Sequence, residues 1–426
     1  MFELTRFAGT LSGHGHSHPV AFTAEVDNEG VLALRLGRLP FSDAAYGLYH
    51  TPQPTEPLDR ITLEGVAETG TTFFSDSFSI LHFGHGSIEG QELDFQGECA
   101  MADITRIVTE PHERSSKVWL MRKFSTIHRI SHETPVGKAV IGGVDESTES
   151  QVPRGFLHLI HPSGFADDDW LEESERFLVH VARILSFACG TYLNPVVERR
   201  FHGSQDRLRV VRRGRSARPK LAPFTFLHLE PIFALACDTF ATRADAIAGM
   251  DAAIRWLAMP APTWESELVN AMTAIENLLE GELSAALRLF QSDSTFRRTV
   301  RPLRKLLREA NVPSGMIDKL LELNRRSFRD QLESLLLGWG IVTSDLPEGW
   351  LPALIRTRNH IIHTGVLPPD IVVDNGIPGH VIWAREIAVR LILHILGFEG
   401  GYQSWLHRDR TLHFPTCQPI EQVIPA

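Results

Sequence analysis

Cysteine is scarce and scattered: Cys99, Cys189, Cys237 and Cys417 form no CxxC pair. That spacing excludes a zinc ribbon and offers no disulfide framework. There is no run of about eighteen apolar residues, and the opening MFELTRFAGTLSG lacks a basic region followed by an apolar one. A cytoplasmic protein with no membrane partner is therefore expected. A GxxxxGK[ST] phosphate loop and a GxSxG elbow are both missing, which removes support for nucleotide hydrolysis and for acyl transfer. Positive charge is also short: 42 Lys and Arg stand against 52 Asp and Glu, a formal net charge of -10. A chain that coats nucleic acid by global charge is excluded, so any such contact must be regional.

What remains is ordinary for a folded protein, with 43% hydrophobic and 22% charged residues over 426 positions. That length is enough for two or three domains, each with its own core. From residue 1 to 162, short runs such as VLALRLG, ITLEGVAE, FSILHFG, KVWLMRKF and GFLHLIH alternate between turn signals. They read as an antiparallel sandwich or barrel. Residues 163–223 open with FADDDWLEESERFLVHVARILSFACG, a capped helix with Phe177, Val181, Leu185 and Phe187 on its apolar face. A basic connecting segment follows, in which Arg199 to Lys220 hold nine cations against Glu198 and Asp206 alone. It is either a solvated loop or hairpin, or an RNA backbone contact through residues such as Arg212, Arg213 and Arg215. From 224 to 410 the apolar period changes to three and four, the mark of a helical bundle, and 411–426 reads as a tail. The expected fold is a multidomain α+β chain: a β-rich N-terminal domain, then an all-α bundle.

Two histidine groups invite a metal. His14, His16 and His18 alternate in GHGHSHP, and His82 and His85 stand in LHFGHG. No cysteine or dense acidic cluster accompanies them, so a glycine-rich surface loop is the simpler reading. His360 and His363 at i,i+3 make half a metal site without a partner motif such as HExxH. No metal and no cofactor is expected.

The stretch LPALIRTRNHIIHTG, Leu351 to Gly365, raises a sharper question. On a helix of about 100° per residue, Leu351, Leu354, Ile355, Ile361 and Ile362 form one arc with Arg358 near its centre. A guanidinium there needs a partner or a wet cleft. Glu276 in TAIENLL is a suitable counter-ion if the role is structural. His363 lies in the last turn before Gly365, where the negative end of the helix dipole favours its protonated form. Five positions separate Arg358 from His363, about 140° and about 7.5 Å along the axis, so one helix alone does not put them on one face. Two copies meeting across an axis would bring both pairs to one groove.

Arg358, Asn359 and His363, followed by Thr364 and Gly365 inside a late helix, resemble the HEPN superfamily motif of Arg, four to six residues, then His. The early TAIENLL helix, the later LGFEGGYQSW segment and the β-rich region ahead are similar to the ApeA-like HEPN proteins of bacterial phage defence. The resemblance implies metal-independent RNA cleavage at a homodimer seam, triggered by a phage-derived signal and stopping growth of the infected cell. The substrate would be transfer, ribosomal or messenger RNA. It implies that His363 acts as acid or base, that Arg358 stabilises charge on the phosphorane, and that Asn359 orients the histidine or hydrogen-bonds a phosphate oxygen. Arg356 also has a permitted spacing to His363, with Arg358 favoured because it directly precedes Asn359. His360 and Glu276 would support the site. The rival reading is a HEPN bundle without catalysis that dimerises or binds a nucleotide while the β domain binds a ligand. A third is a metal enzyme built on the N-terminal histidines.

Overall fold

A computed structural model of the chain describes residues 2–13, 15–27, 30–37, 39–40, 61–85, 92–143, 154–212, 222–225, 228–282, 288–373, 376–407 and 410–419. It divides into two units, Met1–Ala182 with Leu193–Ser216, and Arg183–Tyr192 with Ala217–Ala426.

The first unit is one antiparallel sheet. Its strands in chain order are β1 (Phe2–Gly13), β2 (His16–Val26), β3 (Leu32–Leu36), β4 (Leu39–Pro40), β5 (Ile61–Val66), β6 (Thr72–His85) and β7 (Glu92–Cys99). Then come β8 (Met101–Ile107), β9 (Ser116–Arg122), β10 (Ile130–Thr134), β11 (Gly137–Gly143), β12 (Arg154–Ile160), β13 (Pro195–His202) and β14 (Gln205–Val211). The hydrogen-bonded order is β10-β11-β12-β9-β13-β14-β8-β6-β5-β1-β2-β3, with β7 pairing β6 and β4 pairing β7. The sheet curls back on itself: Phe2 lines one small cavity with Ile104, Arg106, Arg199, Asp206 and Leu208. Inside lie Phe7, Phe22 and Phe73, whose ring centroids are 5.1 to 5.7 Å apart. Aromatic pairs at that separation add to the stabilisation from area buried.

Two boundaries read from the sequence are corrected. The described part of the basic stretch, through Arg212, is no connector: β13 and β14 form a hairpin in the middle of the sheet, between β9 and β8. Its cations concealed a period-two pattern in which Asp206, Leu208 and Val210 are buried while Arg207 and Arg209 point out. Gly203, at φ 55°, makes the turn that L side chains rarely adopt. Nor are 411–419 a tail: β15 (Gly400–Gln403), β16 (Thr411–Phe414) and β17 (Gln418–Pro419) form a three-stranded sheet, so the second unit is not all-α; 420–426 fall outside the described residues.

Helix α1 (Asp168–Ala188) opens on Asp167, whose Oδ1 accepts the Trp170 N–H at 2.9 Å. Its Phe177, Leu178 and Val181 are fully buried. The second unit carries α2 (Glu230–Ala258), α3 (Trp264–Glu282), α4 (Asp293–Glu309), α5 (Ser314–Lys319), α6 (Phe328–Gly338), α7 (Trp350–Thr364), α8 (Pro369–Val373) and α9 (Ile377–Leu396). Helix α9 is buried on nearly every side, and apart from His380, Arg385, Glu386 and Arg390 its buried residues are apolar. It packs against α2 and α3, and α7 packs on α3 and α9. No helix among the described residues is long and apolar enough to cross a membrane. All four cysteines are free.

Burial of His158 on β12, with the Arg129 charge adding to it, pushes the imidazole from 6.5 down to about 4. Between those values the folded chain binds fewer protons at this group than the unfolded chain does. The contribution of neutral His158 is complete above pH 6.5 and is lost as pH falls toward 4. His158→Gln is expected to flatten this part of a melting-temperature profile taken from pH 7 to pH 5, relative to the parent.

Candidate functional site

Helix α7 begins after Gly349 and ends on Gly365, whose φ of 76° is the left-handed conformation that stops a helix. Gly365 N–H donates to Ile361 O at 2.8 Å. The buried arc is Leu351, Leu354, Thr357 and Ile361, one step round from the arc expected. Thr357 fits the core because its Oγ1 donates to Ala353 O at 2.9 Å, which satisfies the hydroxyl. Ile362 is instead 48% exposed, and Arg358 lies at the edge of the buried face.

The guanidinium of Arg358 is held from two sides. Nη2 donates to Glu276 Oε1 on α3, and Nη1 donates to Asn359 Oδ1 at 3.1 Å. The side chains of Arg358 and Glu276 retain 25% and 34% exposure, so water reaches the pair. Glu276 is placed by its neighbours Ala274, Ile275, Leu278 and Leu279, all buried. Arg356 points elsewhere: its Nη2 donates to Asp370 Oδ2 of α8 at 2.6 Å, in a pair more than half exposed on both sides. His363 is exposed and His360 half-buried. The Thr364 hydroxyl donates to His360 O at 2.7 Å, closing the last turn.

Arg358 thus contacts both Asn359 and Glu276, with His363 five residues on along the same helix. Arg356 is not part of this group. The arrangement supplies a forked donor set at the surface, able to take a phosphate in place of or beside Glu276, and an imidazole open to solvent. Ile362 and Val366, 48% and 59% exposed, flank it.

The basic hairpin is more balanced in space than in sequence. Asp103 of β8 accepts from Arg207 and Arg209, Asp206 accepts from Arg199 and Arg106, and Arg212 pairs with Glu98. Sequence reasoning missed Asp103 and Glu98 because their strands lie far away along the chain. Arg213 and Arg215 fall outside the described residues. A second basic stretch, Arg297, Arg298, Arg301, Arg304, Lys305 and Arg308, lies on α4, which has no buried residue. There Arg304 pairs with Asp318 and Lys305 with Glu309.

Among the N-terminal histidines, His16 is exposed and His18 half-buried near the β1–β2 turn. His14 and the side chains of His82 and His85 fall outside the described residues. Among the described residues, no group of three or more His, Cys, Asp or Glu could hold a metal ion.

Protein-family models, curated proteins and solved structures give no match to the chain.

Proposed function

We propose that the chain is a metal-independent endoribonuclease of the HEPN type, built as a homodimer and serving a bacterial anti-phage, abortive-infection response. The observation that carries this reading is the placement of Arg358 against Asn359, with solvent-exposed His363 in the last turn before Gly365. In the reaction the RNA 2′-hydroxyl loses its proton and attacks the adjacent phosphorus. The bond to the 5′-oxygen breaks, and that oxygen takes up a proton. His363 serves one of these transfers, and Arg358 stabilises the negative charge gathering on the phosphorane oxygens. The partner copy supplies a second Arg358–His363 pair, and the exposed Ile362 and Val366 supply apolar surface for that seam. The purified protein, incubated with total cellular RNA in EDTA, is expected to leave fragments with 2′,3′-cyclic phosphate and 5′-hydroxyl ends. Cleavage abolished by EDTA, or 3′-hydroxyl ends, would overturn the mechanism.

One contact favours a second reading. The Arg358–Glu276 pair is the partner set of a structural ion pair, as a non-catalytic HEPN module for dimerisation or nucleotide binding would have it. In that case Arg358 variants lose stability and the parent cleaves no RNA.

A further inference from the structure

The outward face of the first unit carries a row of like charges whose central member its fold leaves unpaired among the described residues. In register, Lys117 of β9 stands opposite Arg200 of β13, Arg200 opposite Arg207 of β14, and Arg207 opposite Thr105 of β8. Three cations on three neighbouring strands repel one another, and cross-strand like pairs destabilise a sheet. The next row on the same face is mixed: Trp119, Glu198, Arg209 and Asp103. The unbalanced row is therefore a local feature and not the character of the whole face.

Lys117 and Arg207 have partners. Lys117 Nζ donates to Leu171 O at 2.7 Å and to Glu175 Oε2 at 3.1 Å, both on α1, and Arg207 Nη2 donates to Asp103 Oδ2 at 3.0 Å. Arg200 between them is half-buried, and among the described residues it makes no hydrogen bond or ion pair. Burial lowers its affinity for the proton, and the Arg207 charge lowers it further, with the Asp168 charge opposing. Lys117 is likewise held below the usual lysine range, by burial first and by Arg200 in part, against the pull of Glu175. These side chains, with Glu175, Glu198, Arg199 and Arg209, line one open cleft. Trp119 in the same cleft is buried to 5% exposure, so it offers no face on which a base could stack.

We propose that this cleft binds a phosphomonoester, with Arg200 as the central donor and Arg207 and Lys117 beside it. A doubly charged terminal phosphate presents three acceptor oxygens to the forked guanidinium and relieves the repulsion along the row. Glu175 of helix α1 forms part of the cleft wall beside Lys117, which suits a terminal group that enters from the open side. The group belongs either to a free nucleotide or to the 5′ end of an RNA. The proposal is independent of the cleavage chemistry assigned to His363.

The test is calorimetric titration of the full chain with AMP, adenosine, and a 2′-O-methyl RNA octamer carrying either a 5′-phosphate or a 5′-hydroxyl. The 2′-O-methyl groups prevent cleavage through 2′-hydroxyl attack. Binding of AMP and not adenosine is expected, weakened about tenfold or more by Arg200→Gln and less by Arg200→Lys. Binding of the 5′-phosphorylated octamer and not its twin would name an RNA end as the source; AMP alone would name a nucleotide. Without ligand, Arg200→Gln is expected to melt at or above the parent temperature, because a like-charge contact is removed. A lower melting temperature would mark Arg200 as structural and overturn the proposal. Equal binding of AMP and adenosine, equal binding of the two octamers through Arg200, or no binding of any probe would overturn it too.

Discussion

Replacing Glu386 by alanine is expected to destabilise the second unit by about 3–5 kcal/mol, the cost of breaking a buried hydrogen-bonded ion pair from one side. Glu386 and Arg390 on α9 are both fully buried. Glu386 Oε1 accepts from Arg390 Nε at 2.9 Å and from the Tyr402 hydroxyl at 2.7 Å. Its Oε2 accepts from the Ser404 hydroxyl at 3.0 Å and from Trp405 N–H at 2.7 Å. One carboxylate thus joins the last helix to β15 and the segment after it. On the far side of Arg390, Asp345 accepts from Nη1 and Nη2. Burial alone would raise Asp345, but the guanidinium outweighs it and holds the carboxyl below its usual range. Alanine at 386 would take the acceptor from two hydroxyls, those of Tyr402 and Ser404, and from the Trp405 backbone N–H, and would remove the carboxylate beside the Arg390 guanidinium. A denaturant midpoint for Glu386→Ala falling well below that of the parent, with Glu386→Gln between them, is the expected pattern.

The second large effect is on activity. Arg358→Ala is expected to lower RNA cleavage about a hundredfold or more, the size seen when one preorganised donor to a developing anion is removed. Arg356→Ala should change the rate by no more than about threefold, because that side chain is committed to Asp370 in an exposed pair. The two variants also settle which arginine belongs to the motif. Stability should barely separate them: Arg358 and Glu276 are both part-exposed, and such pairs contribute about 1 kcal/mol or less. A large loss of stability with Arg358→Ala and no loss of cleavage would favour the structural role of the pair.

Helix α7 was legible because its signals are local. The apolar period, His363 in the last turn and Gly365 beyond it predict a helix and its stop, and the helix runs from Trp350 to Thr364. The face it buries was less legible. Thr357 is polar by type, and only a neighbour four residues back shows that its hydroxyl is satisfied. The hairpin of β13 and β14 was hidden for a different reason. Its arginines look like a solvated run until Asp103, 106 residues from Arg209, is brought alongside by strand order, and strand order is not written in one sequence. The same holds for the row formed by Lys117, Arg200 and Arg207, which exists only in the register of three strands. The strands after α9 were missed because they are short and follow a helix that dominates the period of that region.

The central claim rests on His363, and the measurement that tests it most directly compares parent and His363→Ala chains on the same RNA in EDTA, with oligomeric state followed in parallel. His363 is exposed and closes a helix that Gly365 ends without it, so the variant is expected to fold and to associate as the parent does. Cleavage should fall by about a hundredfold to ten thousandfold, the range for loss of a general acid or base. Parental cleavage by His363→Ala, in a chain that assembles normally, would contradict the account.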